Sequence, residues 1–171
     1  MARRTGLREF QIAVAERLRT ASARTALASK LGFQVGADNW FVSLQQVSEV
    51  IPVPQSVPVP LTHSWFRGVA NVRGNLYSMI DFSAFQGGDP ISSGMERRVI
   101  LINERLVAGS GLLVSRMLGL RNPEQFTAEP EGGSPLPWVK GVYRDSDGAR
   151  WHELDVAALV REERFLEVGS Q

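Results

Sequence analysis

The sequence GVANVRGNLYSMIDF, residues 68–82, predicts two apolar strands joined by a tight turn. Arg73 stands at the tip of that turn, and Gly74 beside it is free to adopt the positive φ that such turns need. A guanidinium held by a rigid turn can bind a carboxylate or face a partner. The alternative is a plain hairpin with a solvated arginine, and the spacing alone favours that simpler interpretation.

Short apolar segments separated by turn residues continue on both sides of this hairpin. They predict about nine or ten short strands without alternating helices, which is typical of a β-barrel or β-sandwich. Prolines at four positions between residues 52 and 60 exclude regular strand there, because proline lacks an amide donor. The main apolar segments are 31–35, 40–44, 65–72, 76–82, 98–103, 106–113, 139–143 and 149–154.

Helical patterns occur at the two ends of the chain. Apolar residues recur at helical spacing within residues 6–28, which predicts an amphipathic helix that packs on the body of the protein by default. Near the other end, Asp155 predicts the N-cap of a short closing helix over residues 156–165.

Charge and composition limit the function classes. Residues 1–30 hold seven Lys or Arg against two Glu, a net charge of +5, while the remainder has a net charge of −4. The acidic body argues against nucleic-acid binding, and the basic arm could contact an acidic partner or a membrane surface. The chain has no cysteine, which excludes disulfides and thiolate metal sites. No apolar run has the length of a membrane span or the form of a signal peptide.

Residues capable of chemistry are few and scattered. His63 and His152 are far apart in sequence and lack metal-ligand spacing, so the sequence predicts neither a metal nor a cofactor. A small β-barrel hydrolase using His63 or Asp81 is one alternative function, and an SH3-like or OB-like nucleic-acid-binding barrel is another. For Asp81 the simpler interpretation is a buried carboxylate that accepts backbone amide hydrogen bonds at a strand end.

An ordered set of motifs resembles the CheW-like adaptors of bacterial chemosensory systems. Each motif is weak alone, but their order over roughly residues 31–160 is fairly specific. Ser115 and Ser78 depart from the family pattern, which usually has Asp and Pro at these positions. The matching segments are Val47-Ser48-Glu49-Val50, Gly68-Val69-Ala70-Asn71-Val72-Arg73-Gly74, Ile80-Asp81-Phe82, Arg98-Val99-Ile100-Leu101-Ile102, Gly111-Leu112-Leu113-Val114, Lys140-Gly141-Val142 and Leu154-Asp155-Val156-Ala157-Ala158-Leu159.

The resemblance implies a mainly β fold of two intertwined SH3-like barrels, with an N-terminal amphipathic helix and a short C-terminal helix. The expected organisation is a basic helical extension over residues 1–30, a CheW-like domain over 31–160 and a tail over 161–171. Within the domain the two barrels are expected at roughly 38–86 and 97–160, with strand exchange between them.

The resemblance also implies the function of a non-catalytic adaptor without a cofactor. Such proteins bind the cytoplasmic tips of methyl-accepting chemoreceptors and the regulatory domain of a CheA-type histidine kinase. The implied location is cytoplasmic, with recruitment to the inner membrane face through the receptors and no direct membrane insertion. The basic extension and the tryptophan-rich body look like the PilI-type branch, which serves twitching motility by type IV pili.

Residues of a receptor-binding groove are also implied by the resemblance. Glu49 and Arg73 match the family's glutamate and arginine, which approach each other near the groove, so a bridge between them is expected. A side chain at Gly68 is expected to obstruct a packed receptor helix, and the kinase-binding residues are not identified. The expected groove residues are Val47, Glu49, Val50, Gly68, Asn71, Arg73 and Gly74.

Overall fold

A computed structural model describes residue 16 and residues 29–130 and 134–170. The helix expected over residues 6–28 lies outside the described residues, apart from the exposed and helical Glu16. No helix in the described part of the chain is long and apolar enough to cross a bilayer.

Strands account for most of the described chain. Three short helices accompany them: α1 (Phe82–Phe85), α2 (Val156–Leu159) and α3 (Glu163–Leu166), with 3₁₀ turns at Leu44–Gln46 and Pro123–Gln125. The twelve strands of the described residues are β1 (Lys30–Val35), β2 (Asp38–Ser43), β3 (Val47–Pro52), β4 (Ser56–Val57), β5 (Phe66–Val72), β6 (Asn75–Asp81), β7 (Arg98–Ile102), β8 (Ser110–Val114), β9 (Arg116–Arg121), β10 (Thr127–Ala128), β11 (Val139–Arg144) and β12 (Arg150–Leu154).

The strands form two six-stranded sheets, as the mainly β prediction requires. The order in the first sheet is β10-β11-β12-β2-β1-β9, and the order in the second is β3-β7-β8-β6-β5-β4. The β2–β12 and β6–β8 pairs are parallel, and the other pairs are antiparallel. Residues 38–86 and 97–160 each contribute strands to both sheets, so the two sheets are built by exchange between the halves of the chain.

The second sheet must curl strongly. Its outermost strands, β3 and β4, are consecutive in the chain and are joined by residues 53–55 alone. Such a connection reaches about 15 Å at most, whereas the edges of a flat six-stranded sheet lie about 24 Å apart. The outer strands of the first sheet, β9 and β10, are likewise joined by the short segment 122–126. Within the described residues, neither curled sheet is closed by a pairing of its edge strands.

Two apolar clusters hold the sheets together. The shared core takes residues from both sheets, including Phe33, Trp40 and Phe82, all nearly inaccessible to solvent. The second-sheet core lies on the other face of the second sheet and includes Tyr77 and Leu101. Alternate residues of the central strands of the second sheet therefore face different clusters, which explains why these strands are apolar on both sides.

Asp155 caps a short helix, as the sequence predicts, and Asp81 is the predicted buried acceptor of backbone amides, which here also caps α1. Asp81 is fully buried, and its Oδ1 and Oδ2 accept the backbone amides of Ala84 at 3.1 Å and Ile91 at 2.9 Å. Asp155 accepts the backbone amide of Ala158 at 3.2 Å. The predicted closing helix is present as the two separate turns α2 and α3, because the chain is extended at Glu162.

Asp81→Ala should lower the free energy of unfolding by about 2 kcal/mol, since two backbone amides lose their buried acceptor. Asp81→Asn keeps one acceptor oxygen and should lose less. Urea unfolding followed by circular dichroism measures both variants. An unfolding free energy of Asp81→Ala equal to that of the wild type would contradict the capping role.

Candidate functional site

The turn between β5 and β6 consists of Arg73 and Gly74. Val72 pairs with Asn75 across the hairpin, and φ is +53° at Arg73 and +91° at Gly74. Two consecutive residues with positive φ define the type I′ turn that suits a two-residue hairpin. The side-chain Oδ1 of Asn71 accepts the Gly74 amide at 2.8 Å. The positive φ predicted for Gly74 is therefore confirmed, and Arg73 shares it.

Arg73 holds Glu49 in a bidentate ion pair. Its Nη1 and Nη2 each lie 2.6 Å from one carboxylate oxygen of Glu49. The side chains are 72% and 36% exposed, so the pair lies at the surface. Hydrogen bonds from Arg73 lower the pKa of Glu49. Partial burial acts to raise this pKa, and the positive charge of Arg73 acts to lower it further. The bridge implied by the sequence resemblance is present, and its role in binding a partner stays a prediction.

The ion pair connects distant parts of the second sheet. Glu49 is on β3 at one edge of the sheet, and Arg73 is on the hairpin that ends the β5–β6 pair near the other edge. Glu49 lies opposite Leu101, which belongs to the second-sheet core, and residues directly opposite each other share a face. The pair therefore ties the two margins of the curled sheet at the end of the second-sheet core.

The other expected groove residues do not all share that face. Val47 and Val50 are partly buried and pack against the shared core, on the opposite face of β3 from Glu49. Asn71 and Gly74 are exposed on the hairpin beside Arg73. A surface that includes all of them would have to wrap around the edge of the sheet at β3.

Gly68 is enclosed by the protein's own backbone. Its φ is +105°, and a Cβ built there would lie 2.1 Å from the carbonyl oxygen of Val57 and 2.9 Å from Cα of Pro58. Strand β4 and the residues after it thus occupy the space that a side chain at Gly68 would need. A substitution at this position acts on the fold of the protein before it can affect a partner.

The segment around β4 differs from its prediction. The prolines were expected to exclude regular strand between residues 52 and 60, yet β4 pairs Ser56 and Val57 with β5. The expectation was wrong because β4 is an edge strand of two non-proline residues, which needs hydrogen bonds on one side only. This segment also exposes several large apolar side chains that sequence reasoning did not select, with Leu61 the most exposed at 82%.

The residues of the enzymatic alternative have structural contacts. His63 stacks on Trp65 with ring centroids 5.5 Å apart, and both carboxylate oxygens of Asp81 are bonded to backbone amides. His152 lies against Trp40, and burial lowers its pKa. Among the residues that the structure describes, no three His, Asp or Glu are grouped so as to hold a metal ion.

A polar cleft opens where the two sheets meet. It lies between the β1–β2 turn and the loop 89–97, and Ser115 lines it at the junction of β8 and β9. Ser115 stands where the family pattern has Asp, and its hydroxyl accepts the amide of Gly36 at 3.0 Å. The serine therefore keeps an acceptor at this position without a charge.

Comparisons with known proteins agree with this architecture. The sequence profile of the CheW-like domain matches residues 30–164. Protein PilI of Pseudomonas aeruginosa is 28% identical over 145 residues, which cover 82% of this chain and 80% of that protein. The scaffolding protein TtCheW from Thermoanaerobacter tengcongensis superposes with a TM-score of 0.66 at 17% identity, covering 80% of this chain and 94% of that one. At that identity the structural likeness shows the fold.

Proposed function

The chain belongs to the CheW-like domain family, and from this we propose that it is a non-catalytic chemosensory adaptor. It couples the cytoplasmic tips of methyl-accepting chemoreceptors to the regulatory domain of a CheA-type histidine kinase. The ion pair between Glu49 and Arg73 is the observation that carries the proposal, because it brings together the two matching motif residues from β3 and the β5–β6 hairpin. Oriented charges beside apolar side chains suit a protein interface better than acid–base chemistry.

The receptor tip is proposed to bind at the end of the second sheet that bears this ion pair. Glu49, Arg73, Asn71 and Gly74 contribute its polar part, with Val47 and Val50 bordering it from the other face of β3. The glycine at position 68 supports this surface from below by letting β4 pack closely on β5. We propose that the kinase domain binds an edge of the same sheet, whose outer strands are β3 and β4.

The proposed motility output is twitching by type IV pili. It is supported by the identity to Protein PilI, which extends over most of both chains. The proposed location is the cytoplasm, with recruitment to the inner membrane face through the receptors. No nucleic acid, cofactor or metal takes part in the proposed function.

Arg73→Ala should reduce capture of the protein by immobilised receptor tips at least tenfold, since a charged hydrogen-bonded pair at an interface is worth about 1.4 kcal/mol or more. The matched control is Arg144→Ala, which removes another exposed arginine that pairs with a glutamate, Arg144–Glu129, from the first sheet. The control should bind like the wild type. Circular dichroism must show both variants folded.

Wild-type binding by a folded Arg73→Ala variant would remove this ion pair from the receptor site. If the wild-type chain bound neither the receptor tips nor the regulatory domain of the kinase, the adaptor function itself would be overturned. A salt-titrated binding assay with single- and double-stranded oligonucleotides tests the nucleic-acid alternative. Substrate turnover that His63→Ala abolishes would support the hydrolase alternative.

A further inference from the structure

We propose that Asn71 is the positioning residue of the Glu49–Arg73 pair. Its side chain fastens the β5–β6 turn in the one backbone form that directs the guanidinium toward β3. As a statement about a binding site this inference rests on the proposed function. As a statement about geometry it can be tested on the protein alone.

The backbone of Arg73 needs support from outside the residue. A φ of +53° is unfavourable for any residue with a Cβ, and arginine has no short polar side chain to compensate locally. Gly74, the second turn residue, takes its positive φ without such a cost and has no atom near its missing Cβ. The unfavourable conformation is thus concentrated at the residue that carries the functional side chain.

Asn71 provides that support through one hydrogen bond. Its Oδ1 accepts the amide of Gly74 at 2.8 Å, which closes a loop across Val72 and Arg73. Asparagine is favoured in turns because its short side chain can accept a backbone amide nearby. Within the described residues the exposed side chain of Asn71 makes no other hydrogen bond, so its acceptor oxygen serves the turn.

The hydrogen bond made by Asn71 also affects Glu49, because the ion pair between Glu49 and Arg73 is bidentate. Two hydrogen bonds of 2.6 Å in the plane of a guanidinium require a fixed direction of approach. A turn that relaxes to another form would move the Cα–Cβ bond of Arg73 away from β3. Glu49 and Arg73 would then attract each other only across solvent. The ion pair would no longer connect β3 to the β5–β6 hairpin.

The test compares Asn71→Ala with Asn71→Ser, which keeps a weaker neutral acceptor. The carboxyl group of Glu49 is titrated by NMR, with Arg73→Gln marking complete loss of the pair. In Asn71→Ala the pKa of Glu49 should rise most of the way from the wild-type value to the Arg73→Gln value. The amide of Gly74 should exchange with solvent roughly tenfold faster. Asn71→Ser should fall between the wild type and Asn71→Ala in both measurements.

Glu153 on the first sheet is the internal control, because its ion pair is remote from this hairpin. Its titration should be the same in all variants if they are folded. An unchanged pKa of Glu49 in Asn71→Ala, or in Asn71→Ser if the alanine variant does not fold, would overturn the positioning role. Because no partner is present, this outcome is separate from failure of the receptor-binding proposal.

Discussion

Gly68→Ala should lower the free energy of unfolding by about 4 kcal/mol, enough to leave much of the protein unfolded. Two costs add at this position. The backbone has a φ of +105°, which costs a residue with a Cβ about 1–2 kcal/mol. The new methyl group would also overlap the carbonyl oxygen of Val57 at 2.1 Å, and forcing β4 aside costs a further 1–3 kcal/mol or so.

Gly74→Ala is the matched control for the backbone term. Gly74 has a φ of +91° but no atom within 4 Å of the position of a Cβ, so its substitution should cost about 1–2 kcal/mol. Urea unfolding of both variants, followed by tryptophan fluorescence, separates the two costs. Equal losses at positions 68 and 74 would show that β4 does not pack against Gly68 as described.

The result also decides how binding data for this position are interpreted. The family resemblance predicts that a side chain at Gly68, as in Gly68→Asp, obstructs a receptor helix. Val57 and Pro58 already occupy the space beside Gly68. Loss of receptor binding by this variant would therefore be explained by a damaged fold and not by an obstructed groove. The side chain of Arg73 is 72% exposed, so Arg73→Ala tests the proposed groove with less effect on the fold.

Local rules were sufficient for several elements of the fold. The hairpin over residues 68–82 followed from the apolar periodicity and the Arg73-Gly74 turn, and the structure has β5 and β6 there. The N-cap role of Asp155 and the acceptance of backbone amides by Asp81 followed from their positions at strand ends, whereas the helix that Asp81 caps was not predicted. Each of these inferences depends on residues within a few positions of one another, where spacing determines geometry.

Features that depend on distant residues could not be obtained in this way. The parallel β6–β8 and β2–β12 pairs join strands far apart in the chain, and no local pattern specifies such registers. The Glu49–Arg73 pair was expected only from the family resemblance, because 24 residues separate its members. The contact between Gly68 and β4 was missed, since a glycine in a strand can mark a bulge, a bend or a close approach.

The partly buried ion pair between Lys30 and Glu153 joins the most distant of these residues, which are 123 positions apart in the sequence. Nζ of Lys30 lies 2.6 Å from Oε1 of Glu153, and the hydroxyl of Tyr143 donates to Oε2 at 2.8 Å. The side chain of Glu153 is only 7% exposed. Burial acts to raise the pKa of Glu153, but the hydrogen bonds from Lys30 and Tyr143 and the nearby positive charges outweigh it, and the pKa is lowered.

Lys30→Met should therefore lower the free energy of unfolding by about 3 kcal/mol at pH 7, because the buried carboxylate of Glu153 loses its hydrogen-bonded cation and keeps only the exposed Lys140, whose Nζ lies 3.8 Å from Oε1. Lys30→Met combined with Glu153→Gln should recover most of this loss, since no charge is then buried and the hydroxyl of Tyr143 keeps an acceptor. Glu153→Gln alone leaves the ammonium group of Lys30 without its partner. That group is 20% exposed and partly solvated, so this single variant should lose less than Lys30→Met.

The pH dependence distinguishes a lost charge interaction from lost packing. A carboxyl group with a lowered pKa in the folded state stabilises the protein above its unfolded-state pKa, and this contribution is lost as the pH falls through the folded-state pKa. The wild type should thus lose stability in acid as Glu153 is protonated. In Lys30→Met only the hydroxyl of Tyr143 and the exposed Lys140 still oppose the effect of burial, which raises the pKa of Glu153. This pKa should therefore be higher than in the wild type, and the difference in stability between variant and wild type should shrink from pH 7 to pH 4. A difference that stays constant over this range, measured by urea unfolding at each pH, would mean that Lys30 stabilises the sheet through packing of its methylene chain and not through its charge.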